Sequence, residues 1–203
     1  MPDALLDRWP LPEDPGTARE LLAAYDGPTR GYHDRRHLSE VLDRIEGLRD
    51  AGADCEPLPV LLAAWFHDAV YDGERDAEER SATWAEAALA PWLPAAVVAE
   101  VARLVRLTET HRPAPGDRNG EVISDADLGI LAADPGRYAA YVAAVRREYA
   151  HLDDATFTAG RRHVLEQLLA KPSLFHTAPA IAAWERPARA NVAAELSRLP
   201  QRD

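Results

Sequence analysis

The sequence predicts an all-α protein, a helical bundle of about eight or nine helices. Apolar residues recur at helical spacing along nearly the whole chain, and no convincing pair of alternating strands interrupts them. The chain has 203 residues, 47% of them hydrophobic, which suits one globular domain with a substantial core. The Pro- and Gly-containing loops are short, and no repeat or low-complexity linker divides the chain. Residues 1–203 are therefore expected to form a single compact domain.

The first half of the chain contains three predicted helices. Thr17 and Glu20 form a capping-box pattern at the start of TARELLAAY. From about 33 to 49, apolar residues fall on one helix face, and Gly52 is the expected stop. The apolar residues of that face are Leu38, Val41, Leu42, Ile45 and Leu48. Residues 58–70, LPVLLAAWFHDAV, are apolar on all sides, which predicts a central helix surrounded by others.

The second half contains five or six further helical segments. Asp76 is a candidate cap for AEERSATWAEAALA, and VVAEVARLVRL follows it. The loop HRPAPGDRNG then precedes the shorter segment VISDADLGILAA. Asp134 and Pro135 supply a cap and a first helical residue for GRYAAYVAAVRREYA. TFTAGRRHVLEQLLA and ARANVAAELSRL are predicted as the last two helices.

Composition and charge exclude several classes of function. The 23 basic and 34 acidic residues give a net charge of −11, which argues against binding to a nucleic acid polymer. A small anionic substrate is still compatible, because a bound divalent cation can reverse the local charge. The single cysteine, Cys55, excludes an intramolecular disulfide and a thiolate zinc site.

No membrane attachment is expected, because no apolar run reaches the roughly 18 to 20 residues of a transmembrane helix. The N-terminal segment MPDALLDRWPLPEDPG also lacks the features of a signal peptide. A cytoplasmic protein is therefore expected, and a homodimer is one oligomeric state that the sequence allows.

One pair of residues, His67 and Asp68, poses a problem of charge. The pair ends an apolar stretch, and no Lys or Arg occurs from Cys55 through Gly73. A buried carboxylate is costly unless it is paired, protonated or bound to a metal ion. The dyad alone is a weak signal, but its apolar context makes a metal ion one of the solutions.

Two further segments, YHDRRHL and THRP, contain histidines that are potential ligands. His33 and His37 are four residues apart, so a helix places them on one face. His37 also shares the predicted buried side with Val41. A lone histidine in such a position is more often a core residue than a ligand. His111, in THRP, is the third candidate.

Two aspartates, Asp125 and Asp127, lie in the segment SDADL. On a helix their side chains point about 200° apart, so that one can face inward while the other faces away. The structural alternative is that Asp125 caps the helix and Asp127 is exposed. That alternative is weaker for Asp127, which precedes the apolar residues Leu128, Ile130 and Leu131.

The order of His, then His-Asp, then Asp on separate predicted helices resembles the HD superfamily of metal-dependent phosphohydrolases. The wider pattern looks like a bacterial subgroup of predicted HD phosphohydrolases and covers nearly the whole chain. Its motifs are YHDRRHL, AAWFHDAVYD, EERSA, the T-x-x-H of Thr108 to His111, DADLGIL and ERPARANVAAEL. The resemblance implies a helical fold with one divalent ion and four ligands: His37, His67, Asp68 and Asp127. The family's closing aspartate stands in an Ala-Asp-x-x context, so its match is Asp127.

This resemblance implies a chemistry as well as a fold. Two imidazoles and two carboxylates suit Mn, Fe, Co, Ni or Zn, with less preference for Mg. Such an ion would polarise a phosphoryl group and lower the pKa of water. The expected activity is hydrolysis of a small phosphate ester, with a nucleotide as the preferred substrate.

Further residues receive candidate roles near these ligands. Asp72 and Glu79 join Asp68 as candidate catalytic carboxylates, although acids at a helix start are usually caps or dipole partners. The candidate substrate-binding residues are His33, Arg35, Arg36 and His111. The two histidines could instead bind a second ion, and the two arginines could be a solvated pair.

Two other classes of function remain open on the sequence alone. One is a metal-binding regulatory or ligand-binding module without turnover, and the other is a structural helical protein with no metal. Metal content separates the structural protein from the other two, and turnover of phosphate esters separates the enzyme from the regulatory module.

Overall fold

The computed structural model describes residues 4–73 and 75–200 and confirms the all-α prediction. Within these residues there are nine α-helices and no strand. The helices are α1 (Pro15–Tyr25), α2 (Arg35–Asp50), α3 (Pro57–Phe66), α4 (Ala77–Leu89), α5 (Ala95–Leu107), α6 (Arg118–Leu128), α7 (Pro135–Glu148), α8 (Asp154–Ala170) and α9 (Ala178–Arg198). Two short 3-10 helices, Leu6–Arg8 and Gly129–Ala132, complete the fold.

The centre of the bundle is α3, as its uniform apolarity predicts. Seven of its ten residues are buried, and α2, α4, α5 and α6 all pack against it. The buried apolar side chains of the described residues form one continuous cluster. No helix in the described ranges combines the length and the apolarity that crossing a bilayer requires.

The end of α3 differs from the prediction in a way that matters for function. The helix ends at Phe66 rather than at residue 70. His67 and Asp68 therefore lie in the turn that follows the helix, where successive side chains are not held to helical spacing. This turn lets both side chains of the dyad face the same point.

Aspartate side chains cap the helices on either side of the first loop. Asp14 accepts a hydrogen bond from the Thr17 backbone N–H at 3.2 Å, so α1 begins at Pro15 and the predicted capping box is wrong. Asp34 caps α2 by accepting from the backbone N–H groups of its second and third residues. Gly52 has a φ of 97°, which confirms it as the stop that follows α2.

Three later boundaries also depart from the prediction. Asp76 precedes α4 as expected, but its backbone is left-handed and its side chain makes no capping hydrogen bond. Asp117 caps α6, which therefore begins at Arg118, inside the predicted loop. α9 begins ten residues early because Thr177 caps it, and the helix continues through Pro187 although proline normally breaks a helix.

Candidate metal centre

The four predicted metal ligands come from three separate elements and meet at one point. His37 lies in the first turn of α2, His67 and Asp68 follow α3, and Asp127 lies in the last turn of α6. The two histidines face each other, with 3.0 Å between their Nε2 atoms. Side-chain atoms of His37, His67 and Asp127 all lie within 4.8 Å of one another, so this group could hold a metal ion.

The two carboxylates complete this cluster. Asp68 Oδ2 lies 3.2 Å from His37 Nε2 and 3.0 Å from His67 Nε2. Asp127 Oδ1 lies 3.2 Å and 3.8 Å from the same two nitrogens. The four side chains thus present two nitrogens and two oxygens around a common centre, a mixed donor set that suits a divalent transition-metal ion.

Hydrogen bonding at the centre fits the role of ligands. His67 Nδ1 lies 2.8 Å from the Ala64 carbonyl oxygen, which can only accept, so Nδ1 carries the proton. Neutral His67 then directs the lone pair of Nε2 toward the carboxylates. Asp68 Oδ2 is buried and faces the Nε2 atoms of His37 and His67, which can donate to it only while they carry protons. These observations agree with a cation as the group that these atoms are arranged to contact.

The electrostatics of the centre depend on the histidines. Burial alone would lower the pKa of His67, but Asp68 and Asp127 outweigh burial and raise it to about 9. Burial would likewise raise the pKa of both carboxyls, yet the nearby imidazoles hold both below their ordinary value. In the metal-free protein, the positive charge that offsets the two carboxylates is therefore a titratable proton.

The nearest arginine supports the dyad through its backbone. Arg30 donates to the carbonyl oxygens of His33 and Asp68 at 2.7 Å and of Ala69 at 2.9 Å. These contacts hold the turn that follows α3, because the guanidinium satisfies carbonyls left without a helical partner. Arg30 bonds to the backbone carbonyl of Asp68, and the carboxylate of Asp68 faces the histidines. The sequence analysis missed this residue.

A second positioning residue missed by the sequence analysis is Glu148, at the end of α7. Its Oε1 accepts from the backbone N–H groups of Gly31, Tyr32 and His33 at 2.8 to 2.9 Å. Its Oε2 lies 2.8 Å from His33 Nδ1. A Cβ on Gly31 would lie 2.3 Å from the Ala144 carbonyl oxygen, so this approach of the loop to α7 requires glycine. Glu148 thereby fixes the loop that leads into α2.

The two candidate substrate-binding histidines both lie beside the centre. The ring of His33 stacks on Tyr71 with 4.1 Å between centroids. His111 Nε2 lies 3.5 Å from Asp127 Oδ2, and the backbone of His111 is left-handed with a φ of 50°. Burial lowers the pKa of His111. Their positions are compatible with contact to a substrate, and this assignment stays a prediction.

The structure distinguishes the two aspartates of SDADL. Asp125 is fully buried and accepts from the backbone N–H groups of His176 at 2.8 Å and Thr177 at 2.7 Å. It also accepts from the Thr177 hydroxyl at 2.8 Å, so it ties the start of α9 to α6. The alternative in which Asp125 caps its own helix and Asp127 is exposed is therefore wrong.

The candidate catalytic acids outside the dyad lie away from the centre. Asp72 accepts two hydrogen bonds from Arg80, and Glu79 is bound by Arg106 at 2.6 and 2.7 Å. Neither lines the cavity over the predicted ligands, whereas Glu78 does. Burial raises the pKa of Glu78. The sequence placed two acids in the first turn of α4, and only the helix orientation shows which one faces the centre.

The two candidate arginines also lie outside the cavity. Arg35 is paired with Asp26, and Arg36 with Glu40 at 2.9 Å. The side chain of Arg36 is 63% exposed. A role for either residue in substrate binding stays a prediction, without a lining contact to support it.

A cavity of about 520 Å³ opens over the ligand atoms, and Asp68 and Asp127 form part of its wall. This volume lies in the range of small-molecule sites. No family model, curated protein or solved structure matches this chain. The resemblance to the HD superfamily therefore depends on the sequence motifs, and the function has to be argued from the cavity and its ligands.

Proposed function

We propose that this protein is a metal-dependent phosphohydrolase of the HD type that hydrolyses a small phosphate ester. The observation that carries the proposal is the group formed by His37, His67 and Asp127, with Asp68 in contact. The group lies at the wall of a cavity large enough for a small ligand. Hydrolysis is favoured over a purely structural role because a structural site would have no need of that cavity.

The four ligands would hold one divalent ion. When bound, the ion would supply a Lewis acid for the phosphoryl oxygens and lower the pKa of water. His67 is held for this role by its bond to Ala64, and Arg30 fixes the turn that carries Asp68. Mn, Fe, Co, Ni and Zn suit this mixed donor set better than Mg.

Two further residues at the cavity are proposed to act on the substrate. Glu78 has a raised pKa, so it retains its proton closer to neutral pH than an ordinary glutamate and can protonate the leaving alkoxide. Burial alone would lower the pKa of His33, but Asp68 and Glu148 outweigh burial and raise it. A protonated His33 would donate to a phosphate oxygen. In this proposal Glu78 takes the proton-transfer role first considered for Asp72 and Glu79.

The decisive experiment measures phosphate release by metal-reconstituted protein. Wild type, His67→Ala and His151→Ala would be compared on aryl phosphates, mononucleotides and cyclic nucleotides. His151 is an exposed histidine and serves as the matched control. We expect metal-dependent turnover in wild type and His151→Ala, and none above background in His67→Ala. Equal rates in all three proteins would refute the enzyme and leave the metal-binding regulatory module.

A further inference from the structure

The part of the cavity that lies away from the metal ligands is apolar. Six residues of α8 line the cavity: Thr156, Phe157, Gly160, Arg161, Val164 and Leu168. Only Leu165 of this helix is buried in the core. The apolar face of α8 therefore lines the cavity, and Phe157 and Leu168 on that face also pack against the hydrophobic core.

Two tyrosines extend this apolar wall toward the metal ligands. The hydroxyl groups of Tyr71 and Tyr149 lie 3.2 Å apart and bond to each other. Because each hydroxyl already has a partner, the rings present mainly carbon surface to a ligand. The wall made by these rings and by α8 is called the apolar wall below.

The only guanidinium that lines the cavity among the described residues, that of Arg161, is already neutralised. Its Nε and Nη2 donate to Glu195 at 2.6 and 3.0 Å, and its Nη1 donates to the Tyr141 hydroxyl at 3.1 Å. A second or third phosphate group would find no other Lys or Arg among the described lining residues. The lining carboxylates Asp68, Glu78 and Asp127 would also repel extra negative charge.

The described lining residues include no Asn or Gln, the side chains that most readily pair with the edge of a base. Both asparagines of the chain are engaged elsewhere. Asn119 bonds to Glu56 and Glu100, and Asn191 donates to the Leu131 and Ala133 carbonyls. Near α8, a nucleobase would meet mainly ring faces and aliphatic carbon, with Thr156 and the paired Arg161 as the polar lining groups of that helix.

We infer that the site selects phosphate monoesters of apolar alcohols, with the single phosphate at the metal ligands and the alcohol along the apolar wall. This inference rests on the proposed function and narrows its substrate class away from nucleotides. Its physical basis is that apolar surface gains free energy on leaving water, while sugar hydroxyls and base edges would lose hydrogen bonds here.

Binding can be tested without turnover by titrating alkyl phosphonates into the metal-reconstituted full chain in a calorimeter. A phosphonate keeps the phosphate charge but has no ester bond to cleave. From ethyl to octyl phosphonate, we expect the affinity to rise roughly fourfold for each methylene group that is buried. Adenosine monophosphate should bind more weakly than octyl phosphonate.

A pair of variants locates the effect. Val164 and Ile181 are 47% and 43% exposed, but only Val164 lines the cavity. Val164→Asn should weaken octyl phosphonate binding by about threefold and leave ethyl phosphonate nearly unaffected, since only the long chain reaches it. Ile181→Asn should leave the whole series unchanged. Equal effects of the two variants would overturn the placement of the alkyl chain.

The outcomes separate this inference from the proposed function. Affinities that are independent of chain length, or tighter binding of adenosine monophosphate than of octyl phosphonate, would overturn the inference. Hydrolysis of the matching alkyl phosphates is measured in parallel. Turnover with a flat binding series would retain the phosphohydrolase and refute the substrate class. A rising binding series without turnover would refute the phosphohydrolase and retain the preference for apolar ligands.

Discussion

Two acidic side chains, Asp127 at the cavity wall and Glu195 behind the lining residue Arg161, have different kinds of partner. Glu195, on α9, accepts from both sides of the Arg161 guanidinium and from the Tyr138 hydroxyl at 2.6 Å. Asp127, on α6, faces the imidazoles of His37 and His67. Arginine stays protonated in proteins, whereas an imidazole can lose its proton near neutral pH.

This difference indicates which of the two carboxylates can bind an external cation. The Glu195 carboxylate has a permanent, bidentate counter-charge, so it has no capacity for an external cation. The negative charge of the Asp127 carboxylate is balanced by protons on the imidazoles of His37 and His67, and these protons can leave. Each proton that leaves frees a nitrogen lone pair that faces the carboxylates. A cluster of buried carboxylates and histidines can therefore exchange protons for a metal ion, which an arginine pair cannot do.

The largest expected effect is the loss of metal from Asp127→Asn. Removing one charged ligand should weaken metal binding by roughly 100-fold or more, since even second-layer changes cost 10- to 100-fold. Wild type should carry about one ion per chain after reconstitution, as measured by elemental analysis. Asp125→Asn is the matched control two residues away, and it should retain the ion because its carboxylate bonds to the start of α9. Equal metal loss in both variants would contradict the assignment.

The second expected effect concerns the ion pair between Arg161 and Glu195. Glu195→Ala should lower the free energy of unfolding by about 3 to 5 kcal/mol, because it leaves the buried Arg161 without a counter-charge. Urea denaturation followed by circular dichroism would measure the change. The double variant Glu195→Leu with Arg161→Met should recover most of the loss, since it removes both charges. Metal content should remain at the wild-type level in both proteins, and a loss of metal would show that the two regions are coupled.

A third effect follows from the raised pKa of His67 in the metal-free protein. The unfolded pKa is about 6.5, and the folded pKa is about 9. Protonated His67 therefore adds to the free energy of unfolding, on the order of 3 kcal/mol in total. This contribution is fully present below pH 6.5 and is lost as the pH rises through 9. Chelator-treated protein should therefore unfold at lower urea concentrations at pH 9 than at pH 6.5. In the His67→Gln variant, stability should depend less on pH. A midpoint of urea denaturation that rises from pH 6.5 to pH 9 in the wild type would contradict the prediction.

Metal affinity should change in the opposite direction over the same interval. Binding requires neutral imidazoles, so each ion displaces protons, and affinity should rise from pH 6.5 to 9. The Arg161–Glu195 pair has no comparable titration near neutral pH. The pH dependence of metal binding thus tests the same distinction that separates the two regions.

The sequence was sufficient to predict that the side chains of His37, His67 and Asp127 meet, because these residues stand in short, recognisable motifs. The apolar run before His67 indicated that Asp68 needs a counter-charge or a proton, and the apolar residues after Asp127 indicated an inward direction. The helix ends were less predictable, since they depend on capping side chains such as Asp14 and Thr177. α9 also continues through Pro187, just before the predicted start of this helix, because tertiary packing can outweigh the preference of a single residue.

The supporting residues could not be predicted, because their partners are distant in sequence. Glu148 binds a loop more than 110 residues away, and Arg30 binds carbonyls nearly 40 residues away. Nothing in the local sequence of either residue indicates such a partner. The choice between Glu78 and Glu79 depended on the rotation of α4 about its axis, which a pattern of adjacent acids does not specify.

The smallest expected effect is that of Arg36→Ala. Its guanidinium is exposed and bonds to Glu40 on the same helix, a type of pair worth only about 0.3 to 0.5 kcal/mol. Because Arg36 does not line the cavity, we expect kcat/KM to stay within about twofold of wild type, far less than a charged bond to phosphate would cost. Arg30→Ala is the matched arginine control and should weaken metal binding by roughly 10- to 100-fold, since it frees the turn that carries Asp68. If Arg36→Ala instead raised KM by tenfold or more with metal content unchanged, the phosphate would have to approach along the start of α2, and the placement of the substrate in the cavity would be wrong.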